Sequence, residues 1–232
     1  MSYIENNIHE LEKNIENITQ KSNRSYEDVK LIAVTKTVDV DKIIEAIEAG
    51  VTDVGENKPQ ELKRKFDIIG EKVRWHLIGS LQTNKVRYII DKVHMIHSLD
   101  RISLCEEIQK RAENINREIN CLVQVNISNE DTKQGLKKEE VVDFIRKVSH
   151  DYKNIKIRGL MTMAPFIDDE DEIRSVFRQL KELSVEITNL NIENVEMSSL
   201  SMGMSNDYNI AIEEGATYVR VGTSIFGERQ YK

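Results

Sequence analysis

Cysteine is scarce in this chain. Cys105 and Cys121 are the two among 232 residues, and their spacing matches neither a metal-ligand nor a redox motif. That excludes a disulfide scaffold, and Cys121, which opens an apolar run, is expected to be a buried thiol in a reducing compartment. Long hydrophobic runs are absent as well. No stretch approaches the roughly 20 apolar residues that a membrane helix needs, and the N-terminal segment MSYIENNIHELEKNIENI lacks the apolar centre of a secretory signal. A cytoplasmic protein with no membrane partner is therefore expected. Positive charge is not in excess: the formal net charge of −7 argues against a general nucleic-acid binder, leaving room only for a local basic patch. No Cys/His cluster has metal spacing, so no metal site is expected, and nothing resembles a Ser/His/Asp arrangement. Proline occurs only at Pro59 and Pro165, and no linker, low-complexity stretch or shift in composition divides the chain. One domain over residues 1–232 is expected.

What is present is a soluble composition, 39% hydrophobic and 31% charged, arranged in a regular alternation. Residues 2–22 read as a helix whose apolar stripe is Ile4, Ile8, Leu11, Ile15 and Ile18. Eight strand-then-helix units follow. The strands are read at 30–35, 53–55, 73–78, 93–97, 119–127, 155–161, 195–197 and 218–221. The helices are read at 39–49, 58–66, 82–90, 101–114, 138–150, 169–188 and 205–213, with a short turn at 224–226. Such alternation implies a parallel sheet, and eight units in this length imply a closed (β/α)8 TIM barrel carrying an extra N-terminal helix. The alternative, an open doubly wound sheet, would carry a glycine-rich phosphate loop after its first strand, and none is there.

A barrel keeps its chemistry at the C-terminal ends of its strands. The first end is Thr35-Lys36-Thr37, directly after the apolar run Leu31–Val34. Lys36 is either an ordinary surface lysine where the strand meets water or an amine at the barrel mouth poised to form a Schiff base. The last two ends, Ser198–Ser205 and Arg220–Ser224, hold serine, threonine and glycine and run into helical segments. Glycine admits a ligand close to the backbone, and hydroxyls and N–H groups at helix starts bind phosphate oxygens. Two ordinary capped loops would look the same. His76 and His97 lie on or near strand ends, where hydrogen-bonded structure is the commoner role for a lone histidine.

Several longer segments together carry a resemblance. IAVTKT at 32–37, GENKPQE at 55–61, WHLIGSLQTNK at 75–85, VQVNIS at 123–128 with KQGL at 133–136, RGLMTM at 158–163, SSLSMGMSNDY at 198–208 and VRVGTSIFG at 219–227 resemble the YggS/PROSC family of pyridoxal phosphate (PLP) homeostasis proteins. That family is related to the N-terminal barrel of bacterial alanine racemase. The likeness spans nearly the whole chain, in the family's order.

The resemblance implies PLP as cofactor, held as a Schiff base on Lys36. It implies Ser201, Gly222 and Thr223 as phosphate ligands, with Met202 and Gly203 in the same loop offering backbone N–H groups. Arg220 would face the pyridine nitrogen, and Asn57 and His76 would lie near the ring. Because a guanidinium cannot accept a proton, the ring nitrogen would stay unprotonated and the ring would be a weaker electron sink. Other readings of the same residues stay open: Arg220 paired with Glu56, Asn57 capping the second helix, Met161, Met163, Met202 and Met204 as packing, and Lys58, Lys63 and Lys85 as solvated charges.

The family's role is storage, delivery or buffering of PLP, with apo PLP-dependent enzymes as partners. An amino-acid racemase would need an acid/base group on each face of the cofactor. Lys36 supplies one. The chain stops just after the eighth unit, and no segment is left for the additional domain that supplies the second in alanine racemase. The expectation is therefore a PLP carrier without dedicated turnover and with no catalytic residue of its own. An acidic surface without a dimerisation domain points to a monomer. A barrel aldolase using Lys36 on a phosphorylated sugar is the weakest of the readings, since it leaves Arg220 without a role.

Overall fold

The computed structural model describes residues 2–128, 130 and 134–227. Helix α1 (Tyr3–Lys21) starts where Ser2 and Glu5 cap each other's backbone N–H groups, and it buries Ile4, Ile8, Leu11, Ile15 and Thr19. It packs across α2 (Val40–Glu48), α7 (Tyr208–Glu213) and α8 (Thr223–Phe226), covering the seam between the last and first units of the chain. The remaining helices are α3 (Pro59–Ile69), α4 (Ile102–Asn114), α5 (Val141–Asp151) and α6 (Glu170–Asn189). No helix among the described residues is long and apolar enough to cross a membrane.

The strands are β1 (Lys30–Val34), β2 (Asp53–Glu56), β3 (Arg74–Leu77), β4 (Met95–Leu99), β5 (Ile119–Asn126), β6 (Leu136–Lys137), β7 (Ile155–Met161), β8 (Val195–Met204) and β9 (Tyr218–Val221). All pairings are parallel. β1 pairs with both β2 and β9, and the ring closes through β4 and β5, so eight strands form the barrel while β6 adds a short flap along the end of β5. This is the (β/α)8 architecture expected from the alternation.

Two elements differ from the sequence reading. The third helix, expected over 82–90, is a 3-10 helix at Thr83–Tyr88. Six residues that include Thr, Asn, Val and Tyr have too little helix preference and length to sustain an α-helix. The seventh strand runs from Val195 to Met204, well past 197, so Ser198–Met204 are strand residues. Their serines turn into the barrel or pair with its neighbours. Ser199 and Ser201 are buried while Ser198 stays exposed, so only part of the polarity that reads as a loop in sequence belongs to the inside of the barrel wall.

That interior carries a small apolar cluster, Ile32, Met95, Leu122, Met161 and Tyr218. The main core lies outside it, between the strands and the helices, and includes Ile43, Leu62, Trp75, Ile108, Phe177 and Leu180. Full burial of such a side chain contributes about 1.5–3 kcal/mol, so this layer dominates the stability and holds the strand ends in place.

Candidate functional site

Lys36 follows β1 at its C-terminal end. Thr35, just before it, is buried: its N–H donates to Gly55 O at 3.0 Å and its hydroxyl donates to Glu56 Oε1 at 2.6 Å. Lys65 of α3, fully buried, donates from Nζ to Thr35 O at 2.7 Å and to Glu56 Oε1 at 2.6 Å. Thr37, on the other side of Lys36, has φ of +62°, a conformation that a β-branched residue rarely adopts. Lys36 is thus held between a strand end tied by a buried ion pair and a strained turn, an arrangement that fixes the origin of its long side chain.

The Lys36 side chain lines a cavity of about 300 Å³ at the C-terminal mouth of the barrel. Asn57 after β2 lines the same cavity, as do Met163 to Phe166 after β7, Met204 to Asp207 at the end of β8, and Arg220, Gly222 and Thr223 at β9 and α8. Two glycines shape the wall. A Cβ on Gly79 would lie 2.4 Å from Asn57 O, so only glycine lets the chain after β3 support the Asn57 turn. Gly203, at φ of +90°, sits where a Cβ would meet Ala211 Cβ at 2.6 Å, so its open face serves the packing of β8 on α7. Asn7 of α1 donates to Ile225 O at 2.9 Å and fastens α8, whose first residue is Thr223.

Arg220 is the buried cation of this wall. It donates from Nη1 to Ser201 Oγ at 2.7 Å and from Nη2 to Thr162 O at 3.0 Å. Burial lowers its pKa to about 10, a trend that the Asp207 carboxylate opposes, so it remains a cation at neutral pH. Asp207 accepts Met204 N–H at 2.5 Å, and its burial raises its pKa. Ser201 lies deeper, with its hydroxyl 2.9 Å from His97 Nδ1. His97 Nε2 is 2.9 Å from His76 Nδ1, and His76 Nε2 is 2.8 Å from Asp53 Oδ1. Desolvation pushes both histidines below their ordinary value, strongly for His97. Burial alone would raise Asp53, but hydrogen bonds from Arg74 and His76 outweigh it and hold the carboxyl far below the usual range.

Of the site residues read from the sequence, Lys36, Asn57, Arg220, Gly222 and Thr223 come together on the cavity wall. Ser201, Met202 and Gly203 lie behind it on β8, and His76 lies deeper still in the barrel. Arg220 does not pair with Glu56; Lys65 does. Asn57 is not the cap of α3, whose N-cap is Lys58. Met163 and Met204 line the cavity while Met161 and Met202 are buried. Lys63 pairs with Asp67, and Lys85 sits over the Tyr88 ring. Asp53, Lys65, Thr162 and Asp207 were not singled out in the sequence. Asp207 and Thr162 lie within the segments SSLSMGMSNDY and RGLMTM that carry the family resemblance, which was the one signal available for them.

An amine, a guanidinium, a side-chain amide, hydroxyls and the start of a helical turn therefore surround one cavity. This donor set suits a small anionic molecule that carries an electrophilic carbon.

The chain matches the family model "Alanine racemase, N-terminal domain" over residues 7–230. It is 41% identical over 218 residues to the pyridoxal phosphate homeostasis protein of Aquifex aeolicus, covering 94% of each chain. Among solved structures, a protein of unknown function from Bifidobacterium adolescentis superposes with a TM-score of 0.92 at 33% identity, over 97% of this chain and 94% of that one. PipY of Synechococcus elongatus, solved with PLP bound, superposes with a TM-score of 0.81 at 31% identity, over 92% of this chain and 100% of that one. The chain therefore belongs to the alanine racemase N-terminal domain family and, within it, to the pyridoxal phosphate homeostasis proteins.

Proposed function

We propose that this protein binds PLP in the cavity at the barrel mouth and serves PLP homeostasis, holding the cofactor as a Schiff base on Lys36. The observation that carries the reading is the convergence of Lys36, Asn57, Arg220 and Thr223 on one cavity from strands at opposite ends of the sequence. The PLP-bound structure of PipY supports the choice of cofactor. When bound, PLP supplies an aldehyde carbon and an electron-withdrawing ring.

The residues of this chain do the rest. Lys36 would hold the cofactor through its amine, which can condense with an aldehyde. Thr223 and the N–H groups that open α8 hold the phosphate, with Gly222 keeping the backbone close. Arg220 would face the pyridine nitrogen and Asn57 the ring, while Met202 and Gly203 support the wall from behind. Ser201 and His76 act from the second layer, through Arg220. A guanidinium that stays charged at neutral pH donates to the ring nitrogen and does not protonate it, which favours retention of the cofactor over amino-acid turnover. In this reading the protein works as a monomer in the cytoplasm, and apo PLP-dependent enzymes are its recipients.

Adding PLP to the purified protein should give an absorbance band near ~420 nm, the order expected for a protonated Schiff base. The band should be absent in Lys36→Ala. A wild-type protein without the band would refute the cofactor assignment. Racemisation of alanine at roughly 1 s⁻¹ or faster would refute the carrier role.

A further inference from the structure

Five side chains stand in single file through the barrel interior. Asp53 opens β2 at the end of the barrel away from the cavity, where Arg74 covers it with two hydrogen bonds at 2.8 and 2.6 Å. His76, His97, Ser201 and Arg220 follow, each within 2.7 to 2.9 Å of the next. Asp53, His76, His97 and Ser201 are all at most 1% exposed, and Arg220 is 5% exposed. No solvent is needed to complete any link.

With both imidazoles neutral, the proton inventory of this file has one solution. Asp53 is ionised, and a carboxylate only accepts, so His76 donates from Nε2. A neutral imidazole has one N–H, so His76 Nδ1 is an acceptor and His97 must donate to it from Nε2. His97 Nδ1 is then an acceptor in turn, and the Ser201 hydroxyl donates to it. With its one proton spent, the Ser201 oxygen is left to accept from Arg220. Desolvation at both imidazoles favours the neutral forms that the solution requires. The polarity of a hydroxyl behind the cavity wall is therefore dictated by a carboxylate at the opposite end of the barrel.

We propose that Asp53, His76 and His97 are positioning residues of the PLP site: they turn the Ser201 hydroxyl away from the cavity and hold its oxygen as the acceptor that fixes the Arg220 guanidinium. This rests on the cofactor reading above and adds to it that Ser201 gives no proton to the phosphate. Thr162 O anchors the second nitrogen of the guanidinium, and the N–H bonds not used in these two contacts remain for the ring. A doubly protonated His76 would reverse the file: His97 would then donate to the Ser201 oxygen and free the hydroxyl proton for another acceptor.

Asp53→Asn is the informative variant because it is nearly isosteric. An amide can present either its oxygen or its N–H to His76, so the file can then run in either direction. The tautomers of the five histidines are readable by proton–nitrogen correlation NMR of the apo protein. In the wild type, His76 and His97 should both be neutral Nε2–H tautomers at neutral pH, and Asp53→Asn should give His97 a population protonated on Nδ1. Loss of one positioning hydrogen bond should weaken PLP binding roughly 2- to 10-fold. Ser201→Ala provides a second test that leaves Asp53 in place. It should weaken PLP binding by a similar factor while His97 keeps its Nε2–H.

An Nδ1–H or doubly protonated state at either histidine in the wild type overturns the inference. So does an unchanged PLP affinity in both variants. A wild type that takes no PLP shows no absorbance band before any variant is compared; it refutes the cofactor reading and the positioning role together. A wild type that binds PLP but shows the wrong tautomers refutes the inference alone.

Discussion

The space inside the barrel and the layer around it are built on opposite terms. The surrounding layer is apolar and interlocked, with Trp75, Phe177, Leu62 and Ile108 each at most 1% exposed. Among its buried polar groups, Lys65 and Glu56 form an ion pair whose Glu56 Oε2 has no partner among the described residues. The interior has five apolar side chains and, beside them, a polar file running from Asp53 to Arg220. A close-packed apolar layer is insensitive to protonation and resists displacement. A hydrogen-bonded file carries directional information from one end to the other. The difference assigns stability to the layer and control of the cavity to the interior, and substitutions can test that division.

The largest effect should come from Lys65→Met. It strands the Glu56 carboxylate in a dry site, and breaking a buried pair by removing one partner costs about 3–5 kcal/mol. Chemical denaturation should show the loss, and a stability within 1 kcal/mol of wild type would mean that the pair is not buried as described. Leu62→Ala on the same helix should cost about 2–5 kcal/mol while leaving the histidine tautomers unchanged.

Acid should act on the interior next. His94, His76 and His97 have pKa values lowered by burial, with His94 at about 4. Each binds a proton more readily in the unfolded chain, near 6.5, so their contribution to stability is present above pH 6.5 and is lost as pH falls toward 4. Thermal unfolding across that range should show the decline, and it should be shallower in Leu62→Ala/His94→Gln than in Leu62→Ala. A flat profile would show that these histidines are not held neutral.

The smallest effect concerns the turn that carries the lysine. Thr37→Gly relieves a positive φ that costs a non-glycine residue of order 1–3 kcal/mol, against the extra chain entropy of glycine. A net gain of about 1 kcal/mol in stability is expected, together with weaker PLP binding as Lys36 loses its fixed origin. Tighter binding would mean that the strain is not used to position the lysine.

Legibility in the sequence followed the range of the interaction. Leu31–Val34 announces a buried strand and Lys36 its end because both signals are local. The alternation of units implied the closed ring, and neighbouring positions for strands one and eight follow from closure. The serines of Ser198–Ser201 misled because small polar residues mark loops in most settings, while in a barrel they can fill the interior. His76, His97, Ser201 and Arg220 were each marked by their places at strand ends, but nothing local joined them with Asp53 into one file. Its members sit on β2, β3, β4, β8 and β9, and which inward side chains meet depends on the stagger of the strands. Lys65 was equally silent, since a lysine in PQELKRKF reads as one more solvated charge until α3 is packed over Thr35.

By itself, then, the sequence determined the barrel, its extra helix and the lysine at the mouth of the first strand, because periodicity and strand ends are set by neighbours along the chain. Only the tertiary structure decided which of the polar residues face the cavity and which stand behind it. The state of Ser201 is fixed by hydrogen bonds that begin at Asp53, and the strand end that carries Lys36 is tied by the ion pair between Glu56 of β2 and Lys65 of α3. Both depend on distances that exist only after the ring has closed.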